Sequence, residues 1–142
     1  MSIPDPVKAL RTDLLADAGV AALAATRVHG AELNRETNSV MPVKAVVIRK
    51  SGLGASGGNR SRVEISSPRV DVFCYGETPF EAARLDLAVY EYLKQMTPHV
   101  TNECYLLDAV LVSGPVDLRE EDTSWPLVFR SYTVTAAEAV AA

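Results

Sequence analysis

The sequence predicts an α+β fold in which helices pack against a mostly antiparallel sheet of two hairpins. Three observations predict it. Two β-rich runs, Val43–Lys50 and Arg62–Tyr75, flank a glycine-rich gap; a capped amphipathic helix follows from Thr78; and two more apolar runs, Tyr105–Val112 and Leu127–Thr135, flank a polar connection. Strand pairs separated by a long helix, with shorter helices in front, form a layered α+β arrangement.

The first helix is expected over Pro6–Ala16. Asp5 is its cap, Pro6 occupies the first helical position, where no N–H is needed, and Val7, Leu10 and Leu14 form its apolar stripe. Asp17 caps a second short turn through Val20 and Leu23. Thr26–Leu33 reads as a weak strand and the polar Asn34–Ser39 as loop. Val43–Lys50 is rich in β-branched residues, as strands are. The return strand, Arg62–Tyr75, slips in phase: Val63 and Ile65 share one parity, while Val70, Val72 and Cys74 share the other. Ser66, Ser67 and Pro68 lie at the slip and predict a bulge or break.

Thr78-Pro79-Phe80-Glu81 is a capping box with proline at the first helical position, and Pro98 stops the helix after about Met96. This helix carries two apolar stripes. Ala82, Leu85, Val89, Tyr92 and Met96 form one, and Phe80, Ala83, Leu87 and Tyr90 form the other. Either the helix is sandwiched within one subunit or one stripe meets another subunit. Gly114-Pro115 reads as a turn within the polar connection GPVDLREEDTSW, and AAEAVAA at 136–142 as a frayed tail.

At 142 residues, 48% apolar and 23% charged, the chain reads as one globular domain spanning 1–142. A net charge of −4 argues against a protein that grips nucleic acid, because phosphate neutralisation supplies most of that affinity. Cys74 and Cys104 lie in apolar runs and read as buried free thiols. No apolar run reaches membrane-spanning length and the start lacks a signal-peptide pattern, so a cytoplasm-like compartment is expected and no membrane partner.

The pattern argues against catalysis and against any cofactor or metal. Gly52-Leu53-Gly54-Ala55-Ser56-Gly57 has dinucleotide-fingerprint spacing, and Gly52 and Gly57 have phosphate-loop spacing. However, Gly58-Asn59 replaces the phosphate-binding Lys-Ser/Thr, and a strand follows where the helix that would bind an anion should be. Ser51–Ser61 therefore reads as a flexible loop ordered by a partner. His29 and His99 have neither ligand spacing nor a nucleophile beside them. Glu120, Glu121 and Asp122 lack the turn glycine and alternating oxygens of a calcium loop, and read as a solvated tip or a partner-facing acidic patch.

Order and spacing resemble the tail-completion and tail-terminator proteins of siphophage-like particles and of gene transfer agents. The resemblance runs through DAGVAALAATRVHG, PVKAVVIRK, the glycine-rich gap, RVDVFCYGETPFEAARLDLAVYEYL and REEDTSWPLVFRSYTVTA. It implies a non-enzymatic virion protein at the tail–neck junction, assembled in a bacterial host's cytoplasm. It also implies a hexameric ring between the tail tube protein and the head–tail connector (stopper), with DNA passing through the lumen without specific binding. Subunit or partner contacts are then expected at Arg49, Lys50, Leu53, Arg60 and Arg62 around the loop. Others are expected at Phe80, Leu87 and Tyr90 on the helix, and at Glu120, Glu121, Asp122 and Trp125 in the acidic connection. Another neck or minor tail protein of the same fold, and a small ligand-binding regulatory domain, remain as alternatives.

Overall fold

A computed structural model describes residues 5–52, 56–57 and 65–138. The two front helices form where their caps predict. α1 spans Pro6–Ala16, with the Asp5 carboxylate accepting from the Lys8 N–H at 3.2 Å. α2 spans Ala18–Ala24, with Asp17 accepting from Val20 at 3.0 Å. The weak strand contracts to β1, Val28–Gly30.

The expected loop after it is instead a short helix, α3, Arg35–Val40. Its polar composition conceals an N-terminal signature: the Asn34 side chain accepts from the Thr37 N–H at 2.8 Å, and Glu36 occupies the first turn, where a carboxylate is favoured.

β2 (Ala45–Gly52) pairs antiparallel with β5 (Arg69–Tyr75), forming the first expected hairpin pair. The phase slip is a true break at Ser67-Pro68. Beyond it the short strands β3 (Ser56–Gly57) and β4 (Ile65–Ser66) continue the pair. Residues 53–55 and 58–64, with Leu53, Arg60, Arg62 and most of the expected flexible loop, lie outside the described residues; Ser51 and Gly52 belong to β2.

α4 runs Pro79–Gln95, its cap Thr78 accepting from the Glu81 N–H at 3.2 Å. The β6 strand, His99–Thr101, has no counterpart among the sequence expectations. β7 (Cys104–Arg119) and β8 (Pro126–Glu138) form the second hairpin, longer at both ends than expected. Gly114-Pro115 is not the turn. Gly114, at φ 100°, lies in an irregularity within β7, after which Val116–Arg119 pair again with Pro126–Phe129; the turn follows Arg119. A proline lacking its N–H fits a bulge as readily as a turn. Fraying does not begin at residue 136 either. Ala136 and Ala137 are buried in β8, with β4 on one side and β7 on the other; residues 139–142 lie outside the described residues.

The strands run across the sheet as β1–β2–β5–β8–β7–β6, and among these pairs β1–β2 is the parallel one. α1, α2 and α4 cover one face, enclosing Leu10, Leu14, Ile48, Val72, Leu85 and Val89. The opposite face carries a smaller cluster of Val47, Tyr75 and Leu127, with Phe73, Trp125 and Phe129 partly buried against it. Gly76 lets β5 turn under the start of α4. A Cβ there would stand 2.3 Å from the Ala82 nitrogen. Inside the helix layer, Arg130 of β8 donates Nε to both carboxylate oxygens of Asp86 on α4, at 3.0 and 2.8 Å. The Tyr90 ring lies 4.2 Å from its guanidinium carbon. Burial raises the Asp86 pKa, with Arg130 opposing that shift.

Candidate subunit interface

α4 places one of its two stripes on the sheet and the other in solvent. Phe80 is 86% exposed and Leu87 53% exposed, both pointing away from the sheet. The monomer therefore does not sandwich this helix. Tyr90, expected beside them, is half-buried because it roofs the Asp86–Arg130 pair. Arg84, 64% exposed, and Lys94 add positive charge to the same outer surface.

A second apolar surface lies on β7. β6 covers only Cys104–Leu106, and past Leu106 no strand pairs with the outer edge of β7 among the described residues. Val110, Val112, Val116 and Leu118 all stand exposed. In register, Val116 faces Phe129 and Leu118 faces Leu127, which puts these two on the sheet face that the helices leave open. Sequence reasoning missed this surface. Alternation in Val116-Asp117-Leu118-Arg119 was the available signal, overridden by the turn reading of Gly114-Pro115.

The charged positions are scattered rather than assembled into one site. Arg49 donates to the Ala31 carbonyl and lies 5.4 Å from the Phe73 ring centre, so it is tied to its own sheet; Lys50 is exposed. In the acidic connection, Glu121 and Asp122 are exposed on the turn, whereas Glu120 is half-buried near Tyr75. Burial, and then the Glu120 charge, push the Tyr75 phenol up to about 12. Trp125 packs edge-on to Tyr75, ring centres 6.4 Å apart, and belongs mainly to the small cluster.

This fold has a counterpart among solved structures. A chain from the virion of a native gene transfer agent particle superposes with a TM-score of 0.68, covering 92% of this chain and 93% of that one at 17% identity. The architecture is shared from end to end. No protein-family model matches the sequence, and no curated protein matches it.

A groove of about 660 Å³ opens between the α1–α2 junction and the end of α4, beside Asp13, Asp17, Glu91, Tyr92 and His99. His99 donates Nε2 to Asp13 at 2.6 Å and Nδ1 to the Thr97 carbonyl at 2.7 Å. Both partners are acceptors, so the geometry calls for the imidazolium, and those bonds raise the His99 pKa against the opposing effect of burial. Thr101 also donates to Asp13, at 2.8 Å, so this network ties β6 to α1. His29 is buried against Thr37 at 2.9 Å. Both thiols are buried and free, with pKa values raised by burial, that of Cys104 to about 11. Among the described residues no cluster of metal-ligating side chains occurs, and no helix there is long and apolar enough to cross a membrane.

Proposed function

We propose that this chain is a structural virion subunit, a tail terminator acting at the tail–neck junction of a phage or gene transfer agent particle. Six copies form a ring that caps the tail tube protein and receives the head–tail connector (stopper), and DNA passes through the lumen without specific contacts. Assembly takes place in the bacterial host's cytoplasm. The observation that carries this reading is the end-to-end fold likeness to a gene transfer agent virion chain. The resemblance in sequence order supports it, and so do apolar surfaces on α4 and β7 that the monomer leaves uncovered.

The work of such a subunit is interfacial and needs no cofactor. Ring repetition multiplies a per-chain charge of −4, which suits a conduit that repels phosphate. The loop at 51–61, with Leu53, Arg60 and Arg62, and the neighbouring Lys50 would contribute contacts to the ring or to its partners.

Deleting the gene in the particle-producing strain tests the reading. The expected result is normal heads beside unjoined tails of uncontrolled length. Tails of normal length joined to heads would overturn it, and correct tail length without joining would favour another neck role.

A further inference from the structure

Resting on the ring reading, we propose that one copy's α4 outer stripe docks on the β7 stripe of the next copy, so that each subunit uses two different patches. One patch is the aromatic knob Phe80 with Leu87; beside it stand Arg84, which also pairs with Glu81 at 3.7 Å, Lys94 and the exposed carboxylate of Glu91. The other is aliphatic, led by Val110, Val116 and Leu118. Carboxylates flank it. Asp108 is exposed on β7 opposite Thr135, and Glu121 and Asp122 are exposed on the turn that follows Leu118. Both patches are apolar, and Arg84 and Lys94 on one can meet Asp108, Glu121 and Asp122 on the other, with Glu91 and Arg119 as the opposite charges that complete an alternating pattern and set register.

They cannot meet within one molecule. Phe80 and Leu87 point outward from the helix layer, while Val116 and Leu118 share the far sheet face with Phe129 and Leu127; the sheet lies between them. A second copy supplies both missing halves at once. A contact of patch on different patch is heterologous, and when the rotation closes it produces a ring. Gly114-Pro115 and the register irregularities around it interrupt the edge of β7, which disfavours simple strand-on-strand addition there and leaves side-chain docking as the mode.

The test uses the full chain carrying Leu87→Cys together with Val116→Cys, under mild oxidation, with each single variant as a control. Cys74 and Cys104 are buried and do not compete. The expected result is a ladder of covalent dimers, trimers and larger species from the double variant, with no ladder from either single variant. Efficient dimers from Leu87→Cys alone would show a symmetric helix–helix contact and overturn the proposal. Monomers throughout at high protein concentration would also overturn it.

Native mass spectrometry of the unoxidised sample keeps the two readings apart. Oligomers without a ladder would sink this pairing and leave the ring standing, and the deletion phenotype reports on the ring's role independently. As a second arm, Arg84→Glu should weaken association severalfold, and Asp122→Arg in the same chain should restore part of it. No recovery with any reversal at Asp108, Glu121 or Asp122 would refute the charge pairing.

Discussion

Val72 and Val110 are both valines in strands of the same sheet, yet Val72 is 1% exposed and Val110 is 56% exposed. Val72 lies under α4 on β5, where helix and sheet close a core. Val110 lies on β7 past the point where β6 stops. The apolar side chain is the same and its partner differs: the molecule supplies one for Val72 and leaves the other to something outside it. A strand of a monomeric protein exposing Val110, Val112, Val116 and Leu118 would invite aggregation, so under the proposed ring the contrast separates residues that hold the fold from residues that meet a neighbour.

Substitutions can sharpen or break that division. The largest effect is expected at the buried pair. Arg130→Ala leaves the Asp86 carboxylate buried without its cation and should cost about 3–5 kcal/mol in urea unfolding, whereas replacing both residues with apolar ones should recover much of the loss. Next, Leu85→Ala should lose about 2–5 kcal/mol through the cavity it opens. Val110→Ala should stay within about 0.5 kcal/mol while weakening association, because its partner is not in the monomer. A large loss of monomer stability for Val110→Ala would break the comparison. Gly76→Ala, which pushes a methyl group into the backbone of α4, should cost about 1–3 kcal/mol and reveal how tightly the helix layer is seated.

A modest, pH-dependent effect concerns the His99–Asp13 link. Its folded pKa is raised, so the stabilisation is complete below the unfolded histidine value and is lost as pH rises through the folded one. Because His99 is about a third exposed, solvent screening limits this to roughly 0.5–1 kcal/mol. The difference in urea midpoint between the wild type and His99→Ala should therefore shrink from acid to alkaline pH.

The sequence was most legible where local chemistry decides structure. Asp5-Pro6, Asp17 and Thr78-Pro79 satisfy their own helix ends, so α1, α2 and α4 could be placed from those residues. The break before Arg69 followed from parity. Legibility failed where a local signal had two meanings. Asn34 caps a helix as well as it enters a loop, and Gly114-Pro115 forms an irregularity within β7 as well as it would a turn. Long-range partners were beyond it too. Nothing near Asp86 in the chain announces Arg130, and nothing near His99 announces Asp13. Of the contact residues expected from sequence, Phe80 and Leu87 stand exposed, while Tyr90, Glu120 and Trp125 are partly spent on the chain's own packing.

β8 pairs with β5 and β4 along one side and with β7 along the other, yet it follows all of them in chain order. During synthesis the middle of the sheet therefore stays vacant until residues 126–138 emerge, and β5 and β7 have no common neighbour to hold them together before then. A nascent chain cut short ahead of Pro126 lacks the strand on which Arg130, Tyr132 and Val134 are carried, and so lacks the partner of Asp86 as well. Completion of the fold thus waits on the last strand: a product terminated ahead of it lacks the centre of the sheet and the seat of α4.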